Sequence, residues 1–482
     1  MPYRLLSRLL ALWIVSLPFS CAPAPPSLPD GGGLPARPNI LFVLVDDLGW
    51  MDLSVQGNPW YPTPNIDRAA AAGLRFTDYY APSTVCSPSR AAMMSGLSPA
   101  RTGITDFIPG HWRPYEALTV PTNRTQYLPT SVVTYAEKLK EVGYRTAYFG
   151  KWHLGWGAEH GPRAQGFDTA QVQGGWGHFF PTVNLTPGAA IDSGAYLADV
   201  LTDLTIDFIE ENRDTQFLAV LSHFAVHLPL EAPDELVAGA AARAQPTDRL
   251  YNPTYVGMVE SVDRNFGRLM DRLEALGLAD NTLVIFTSDN GGLQQIYNKS
   301  DSILATTNAP LRDEKGSIYE GGLRVPMFLR LPGVVRSGVT PVPATGLDLF
   351  PTFLDAAGIA RSRWPDTLDG NSLWPLATRG AELPDRQLFF HYPHYHHGRP
   401  AAAVREGDYK LIRYFGSEST ELYDLAADIS ETTNLSDRRP AEERRLRTAL
   451  DHWLTEIGAP LPVVNPEFDP ARRQEWGARP QG

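Results

Sequence analysis

Four short, unbroken apolar runs constrain the fold of this chain more than any other feature of the sequence. They cover residues 40–45, 146–149, 217–221 and 283–287. Runs of this length and composition are typical of strands buried on both faces. Helical patterns lie between them, such as the apolar stripe over residues 255–276 that ends at Gly277. Strands that alternate with helices predict an α/β fold, with a large, mainly parallel or mixed sheet between layers of helices.

Charged and polar side chains follow each of these runs. They are Asp46 and Asp47 after the first run, Lys151 and His153 after the second, His223 and His227 after the third, and Asp289 and Asn290 after the fourth. Ligands of open parallel sheets bind in the crevice beyond the carboxyl ends of the strands. We therefore expect these side chains to converge in one site.

The residues after the first and fourth runs offer only oxygen ligands. Asp46, Asp47, Asp289 and Asn290 make up a hard ligand set, which suits calcium or magnesium better than zinc. Paired aspartates followed by Gly49 are also compatible with an ordinary turn. The sequence therefore indicates a candidate metal site and leaves the turn as an alternative.

The overall charge excludes two classes of partner. The chain of 482 residues has 42 Lys and Arg against 54 Asp and Glu, a net charge of −12, and no basic run. Proteins that wrap nucleic acid or lie on anionic membranes need a basic surface. We expect neither activity here, and an anionic partner would have to bind at a small, local basic site.

The N-terminal segment resembles an export signal. Arg4 and Arg8 precede an apolar run over residues 9–19, and small residues follow. This order predicts a secretory signal peptide over residues 1–21 and an exported protein, either periplasmic, on the outer surface or secreted. The run is too short to span a membrane. Cys21 lies where a lipoprotein would carry its lipid anchor, and residues 22–37, rich in Pro and Gly, form a linker.

Cysteine is scarce, and one cysteine has an unusual context. Cys21 and Cys86 are the two cysteines of the chain, so the exported domain has no disulfide framework. Most isolated cysteines are small buried apolar residues. Cys86, however, begins the segment Cys86-Ser87-Pro88-Ser89-Arg90, and Pro88 places it at the start of a helix. There the helix dipole and Arg90 favour a thiolate nucleophile next to a bound oxyanion.

An ordered series of motifs extends this signature along the chain. The series comprises Cys86-x-Pro88-Ser89-Arg90, Thr63-Pro64-Asn65-Ile66-Asp67, Gly150-Lys151-Trp152-His153-Leu154-Gly155, Ala225-Val226-His227, Thr287-Ser288-Asp289-Asn290-Gly291-Gly292, Lys315-Gly316, Tyr319-Glu320-Gly321-Gly322 and Gly407-Asp408-Tyr409-Lys410-Leu411. Together these residues resemble the type I sulfatases of the alkaline-phosphatase superfamily. The resemblance extends from about residue 38 to residue 435.

The resemblance implies a cofactor, a modification and a set of roles. Cys86 would become formylglycine, made by a formylglycine-generating or anaerobic sulfatase-maturating enzyme. One hydroxyl of the aldehyde hydrate would attack sulfur, and the other would release sulfate by re-forming the aldehyde. One Ca²⁺ per chain would be bound by Asp46, Asp47, Asp289 and Asn290. The remaining roles are stabilisation of charge by Arg90 and Lys151, sulfate binding and protonation of the leaving oxygen by Lys315 and His227, and proton removal by His153.

A histidine-rich stretch suggests where the rest of the substrate binds. Residues 391–397 contain four histidines, which favours either a surface aromatic loop or a metal-binding tract. Similar stretches occur in sulfatases that act on carbohydrates. We expect His391, His394 and Tyr395 to line the substrate pocket. The expected substrate is a sulfated carbohydrate or a small aryl or alkyl sulfate.

The C-terminal part has a different pattern. Alternating segments at residues 402–405, 409–413 and 421–425 predict a short antiparallel sheet, and residues 442–457 an amphipathic helix. We therefore expect a catalytic domain over residues 38–380, a smaller α+β subdomain over 381–460 and a tail over 461–482. Two other functions stay open: hydrolysis of phosphonate monoesters or phosphodiesters by a similar site, and glycan binding without catalysis by a protein whose Cys86 stays a thiol.

Overall fold

A mixed sheet lies at the centre of the protein in a computed structural model, which describes residues 37–110, 112–123, 125–188, 190–294, 305–417 and 419–477. The predicted signal peptide, Cys21 and all of the linker but Arg37 lie outside the described residues. The strands are β1 (Asn39–Val45), β2 (Leu74–Phe76), β3 (Tyr79–Tyr80), β4 (Leu118–Thr119), β5 (Arg145–Gly150), β6 (Thr169–Gly175), β7 (Val183–Thr186), β8 (Phe217–Ser222), β9 (Thr282–Ser288), β10 (Met327–Arg330), β11 (Gly338–Thr340), β12 (Ala344–Thr345), β13 (Gln387–Tyr392), β14 (Ala401–Glu406), β15 (Tyr409–Tyr414), β16 (Thr420–Asp424) and β17 (Val463–Val464).

Within the described residues, the central sheet has nine strands in the order β11-β2-β10-β9-β1-β8-β5-β6-β7. The five consecutive strands from β9 to β6 run parallel, whereas β10 and β7 are antiparallel to their neighbours. The four strands predicted from apolar runs are β1, β5, β8 and β9, which all lie in this parallel segment. Their carboxyl ends therefore meet at one edge, as the sequence predicts.

Helices cover both faces of the central sheet. The helices are α1 (Pro64–Ala71), α2 (Cys86–Ser95), α3 (Pro99–Thr102), α4 (Tyr135–Lys140), α5 (Leu197–Glu211), α6 (Asp234–Ala242), α7 (Pro253–Ala275), α8 (Glu320–Leu323), α9 (Leu349–Ala356), α10 (Trp374–Arg379) and α11 (Pro440–Glu456). Alternate residues of β1 point to opposite faces. Phe42 packs in a core that includes α2, α4 and α9, whereas Val43 packs with α1, α5 and α7.

A smaller antiparallel sheet forms the C-terminal part in the order β13-β14-β15-β16. One face packs against α11, where Leu446, Leu450 and Leu454 meet apolar residues of β14 to β16. The opposite face packs on Tyr80 and Leu323. The predicted α+β subdomain is present, but the sequence analysis missed its first strand, β13.

The tail packs back onto the rest of the protein as far as residue 477. β17 pairs antiparallel with β4, and the Asn465 amide donates hydrogen bonds to the carbonyl oxygens of Pro114 and Glu116. Among the described helices, none combines the length and the apolar character that crossing a membrane requires.

A buried ion cluster joins the small sheet to the part of the chain that contains α8. Lys410 of β15 is inaccessible to solvent, and its Nζ lies 2.9 Å from Glu320 Oε1 and 2.8 Å from Glu431 Oε1. Glu320 also accepts hydrogen bonds from Arg324 and Tyr80. Burial and the neighbouring Glu320 raise the pKa of Glu431 to about 7, and Lys410 opposes this shift. Arg324 also offsets the charge of Glu320, whereas Lys410 is the cation that contacts both carboxylates.

We predict that Lys410→Met destabilises the protein by about 3–5 kcal/mol, because it removes the cation between two buried carboxylates. Arg445→Met is the matched control, since Arg445 forms an ion pair with the partly exposed Glu406 and should cost less than about 1 kcal/mol. Denaturant unfolding followed by circular dichroism measures both. Equal losses in the two variants would contradict a structural role for the cluster.

Candidate active site

Three carboxylates and one amide form the floor of the predicted site. Asp46 and Asp47 follow β1, and Asp289 and Asn290 follow β9, its parallel neighbour. All four side chains are buried. Carboxylate oxygens of the three aspartates lie within 4.8 Å of one another. The structure thus brings the four predicted metal ligands together.

Three cations surround these carboxylates. Arg90 Nε lies 2.8 Å from Asp289 Oδ2, and Lys315 Nζ lies 2.7 and 2.8 Å from the two carboxylate oxygens of Asp47. Lys151 Nζ forms an ion pair with Asp46 Oδ2. Arg90 is also held by the Ser222 hydroxyl at 2.7 Å, a contact with no counterpart in the sequence analysis. Each buried negative charge therefore has a positive partner.

The cations act differently on the two neighbouring aspartates. Burial opposes ionisation of Asp47, but Lys315, His227 and Lys151 together hold the pKa of that carboxyl well below its usual range. Burial raises the pKa of Asp46 to about 7 against the opposing effect of Lys151. A cation bound next to Asp46 would lower this pKa, because it stabilises the charged form.

The floor fits a hard divalent cation. Asp46 Oδ1 and Asn290 Oδ1 are buried oxygens without a hydrogen-bond partner among the described residues. Buried polar atoms are otherwise nearly always paired, so these two oxygens lack a partner that a metal ion would supply. Carboxylate and amide oxygens are ligands of calcium and magnesium. The residues present therefore fit the predicted calcium ion.

Cys86 begins α2, and its side chain is 2% exposed. Its sulfur, one carboxylate oxygen of Asp46 and a ring nitrogen of His227 lie within 4.8 Å of one another. Burial raises the pKa of the thiol, although Lys151 and Lys315 oppose the shift. Unmodified Cys86 is thus a neutral thiol, and the thiolate nucleophile suggested by the helix start does not fit this environment.

The two predicted catalytic histidines both line the same cavity and form different hydrogen bonds. His153 Nε2 donates to the Ile108 carbonyl oxygen at 2.6 Å, which leaves Nδ1 as a buried acceptor. His227 Nδ1 donates to the Leu228 carbonyl oxygen at 2.8 Å, and its Nε2 lies 3.7 Å from Asp47 Oδ2. Burial and the nearby lysines lower the pKa of both rings. Both are therefore neutral near pH 7.

Two of these side chains lie on backbone with a positive φ. Asp47 has φ +61° and His153 has φ +56°, in the left-handed region, where aspartate and histidine are enriched among residues other than glycine. Such residues are uncommon overall, and both of these lie at the candidate site.

A cavity of about 750 Å³ opens above the floor. Cys86, Lys151, His153, His227 and Lys315 all line it, whereas the buried His223 does not. Arg90 and the floor carboxylates do not line the cavity and lie beneath the side chains that do. The six predicted catalytic residues therefore meet at one place in the structure.

The structure places the predicted substrate-pocket residues elsewhere. His391 belongs to β13, and its Nε2 donates to the Pro460 carbonyl oxygen at 2.9 Å. His394 is buried beside Thr105, and Tyr395 lies in a second cavity, where its hydroxyl accepts from Leu118 N at 3.1 Å. His396 is the histidine of this stretch that lines the active cavity. The prediction of a surface loop was wrong, because contacts distant in sequence bury these rings.

The sequence does not predict which residues form the walls of the cavity. They are mainly aromatic and apolar, with Trp156, Trp176, Phe107, Phe224 and Leu293. Trp476 joins them from the tail, next to Gly477, which forms an antiparallel bridge with Trp112. The repeated Gly-Trp-Gly at residues 155–157 and 175–177 is the sequence pattern that marks two of these positions.

Comparison with known proteins agrees with this geometry. The family model named Sulfatase matches residues 38–359, and that of the N-sulphoglucosamine sulphohydrolase C-terminal region matches residues 313–458. A sulfatase of Formosa agariphila is 31% identical, with 89% of this chain and 90% of the relative covered. Human arylsulfatase A is 34% identical, with 83% and 79% covered.

A human N-acetylgalactosamine-6-sulfatase is 32% identical, with 84% of this chain and 77% of the relative covered. Among solved structures, Ps i-CgsB matches with a TM-score of 0.73 and 30% identity, over 86% of this chain and 92% of that one. The family match covers most of the chain and includes the four floor residues, the three cations, Cys86 and both histidines. The chain therefore belongs to the sulfatase family of hydrolases.

Proposed function

We propose that the protein hydrolyses a sulfate ester of a carbohydrate, or a small aryl or alkyl sulfate, with formylglycine at position 86 and one calcium ion. The observation that carries the proposal is the position of Cys86. It lies between the oxygen ligands and the cationic side chains, at the base of a cavity that holds two neutral histidines.

The charges of the floor support an anionic substrate. Arg90, Lys151 and Lys315 balance Asp46, Asp47 and Asp289. A bound divalent ion gives this balanced set an excess of two positive charges. Such a site attracts a sulfate ester and stabilises the negative charge that develops on its oxygens. Calcium, when bound, polarises the sulfate and positions the nucleophile.

Conversion of Cys86 to formylglycine would replace a weakly nucleophilic thiol. A neutral thiol is a poor nucleophile, whereas formylglycine supplies a hydrate with one hydroxyl to attack sulfur and another to release sulfate. Cys86 is 2% exposed in the folded protein. We therefore expect the maturating enzyme to act on the chain before it folds.

In each of the two histidines, the ring nitrogen that the proposed reaction would use is not occupied by the hydrogen bond to the backbone. His153 keeps Nδ1 as an acceptor, so it can remove a proton from the hydrate. His227 directs Nε2 toward Asp47, next to Lys315. A bound sulfate raises the pKa of His227 because the anion stabilises its charged form. The protonated ring then serves as the acid for the leaving oxygen, with Lys315 holding the sulfate.

The relatives support the choice of substrate class. One is an N-acetylgalactosamine-6-sulfatase, and Ps i-CgsB is also known in complex with k-i-k-neocarrahexaose. A phosphonate monoester hydrolase shares the fold at 20% identity and a TM-score of 0.62. Export by the N-terminal signal, with or without a lipid anchor at Cys21, belongs to the same proposal.

Turnover of matched esters tests the proposal. We expect the matured protein to hydrolyse phenyl sulfate faster than the phenyl monoester of a phosphonate, measured as kcat/KM for the same phenol. Preference for the phosphorus ester would overturn the proposed function in favour of a phosphonate hydrolase. Absence of turnover in protein with proven formylglycine would favour a binding protein.

We predict that Cys86→Ala lowers kcat by at least about 10³-fold, because the attacking group is lost. The melting temperature should stay within a few degrees of the parent value, since removing one buried sulfur leaves a small cavity. Steady-state kinetics and circular dichroism provide the two measurements. Thr378→Ala, which removes a buried hydroxyl of α10 outside the site, is the control and should keep full kcat.

We also predict that calcium raises the melting temperature of metal-free protein. Binding at 100 times the dissociation constant adds about 2.7 kcal/mol to the free energy of unfolding. Asp289→Asn should abolish most of this effect, because it removes a charged ligand. Asp369→Asn, which alters the Arg101 ion pair far from the floor, should retain it. An equal calcium shift in both variants would place the ion elsewhere.

A further inference from the structure

We propose that Trp156 and Trp176 bind the uncharged ring of the substrate alcohol, so that this protein prefers one sulfate on a neutral ring to a polyanionic substrate. The proposal rests on the proposed function and extends it to the part of the substrate outside the sulfate. We name these two residues the tryptophan pair.

The tryptophan pair is unusually exposed. Trp156 is 61% and Trp176 is 65% accessible to solvent, although both line the active cavity. Tryptophan has a large apolar surface that folding normally buries. Trp156 makes no hydrogen bond and no ring contact with another described residue. Two exposed indoles that line one cavity provide an apolar surface against which a flat ring of a ligand can pack.

The backbone on each side of the tryptophan pair requires glycine. Gly155 has φ +122° and Gly157 φ +83°, while Gly175 has φ +80° and Gly177 φ +139°. A Cβ atom at Gly155 would lie 2.6 Å from Tyr127 Cβ, and one at Gly175 would lie 2.6 Å from the Thr182 carbonyl oxygen. The same Gly-Trp-Gly arrangement therefore presents an indole to the cavity twice, from the loops after β5 and β6.

The tryptophan pair lies beside the reacting atoms. Trp156 follows His153 by three residues in the loop after β5. The ring of Trp176 packs edge-on against His227, with centroids 5.4 Å apart, and against Phe224 at 6.0 Å. His227 is the proposed acid for the leaving oxygen. Because Trp176 contacts His227, a ring attached to that oxygen would lie within reach of Trp176.

The charge of the walls determines which rings fit. Among the described residues that line the cavity, Lys151 and Lys315 are the charged ones apart from the histidines, and both are paired with the floor aspartates. Arg113 lies over the ring of Trp476, 4.2 Å from its centroid, but no cation of the described residues lies over either indole of the tryptophan pair. A second sulfate or a carboxylate packed against these two indoles would therefore lose hydration without gaining a cationic partner. An uncharged ring has no charged group to dehydrate, and it gains contact with the indoles. Aryl groups and the apolar face of a pyranose share this chemistry.

Equilibrium binding tests the inference without relying on turnover. The protein is the full chain with Cys86→Ala, loaded with calcium, and the ligands are phenyl sulfate, a galactose monosulfate and the sulfate ester of para-hydroxybenzoate. Calorimetry gives the dissociation constants. We expect at least one neutral ester to bind at least about tenfold more tightly than the carboxylated one. The tighter of the two neutral esters identifies an aryl or a sugar ring.

Substitutions in the tryptophan pair provide the second arm. Trp156→Ala and Trp176→Ala should each weaken binding of the preferred neutral ester about tenfold, and Trp176→Phe should restore most of it, since a ring remains. Trp364→Ala, a partly buried indole remote from the cavity, is the control and should bind as the parent does. Circular dichroism checks the fold of each variant.

Unchanged affinity in both alanine variants, or equal or tighter binding of the carboxylated ester, would overturn the inference. Failure of matured wild-type protein to hydrolyse any sulfate ester would instead overturn the proposed function. The two failures are distinguishable, because binding is measured on a variant that cannot react.

Discussion

Pairing of buried charges on the floor of the site is the constraint on which the rest of the structure depends. Three carboxylates this close would repel one another in a dry interior. Arg90, Lys151 and Lys315 offset that repulsion, and each comes from a different element. Removing any one of them leaves a buried charge without a partner, a large loss of stability. Folding and catalysis therefore share the same contacts.

The parallel sheet explains how residues so distant in sequence reach this floor. β1, β5, β8 and β9 end at one edge, and each delivers its following residues to the same crevice. α2 adds Cys86 and Arg90 on one turn of helix, with Ser222 of β8 holding the guanidinium. The sheet supplies rigid positions, and the loops beyond it supply the chemistry.

Much of this arrangement is predictable from the sequence. The four strands are apolar without interruption because both of their faces are buried, so their ends and the metal ligands are readily found. The helix start marks Cys86 as a candidate nucleophile, whereas its conversion to formylglycine and the roles of Lys315 and the histidines come from the resemblance to sulfatases. The burial of His391 depends on the Pro460 carbonyl, 69 residues further along the chain. Contacts between residues so far apart, and the contribution of Trp476 from the tail, do not produce a periodic pattern in the sequence and are not predicted from it.

The proposed function requires an aldehyde at position 86 of the active protein. Mass spectrometry of the tryptic peptide over residues 76–90, from protein expressed in its native host, detects this group directly, and the same sample is assayed with phenyl sulfate. We predict formylglycine or its hydrate at position 86 in the active sample. An intact thiol in protein that hydrolyses the ester at full rate would contradict it.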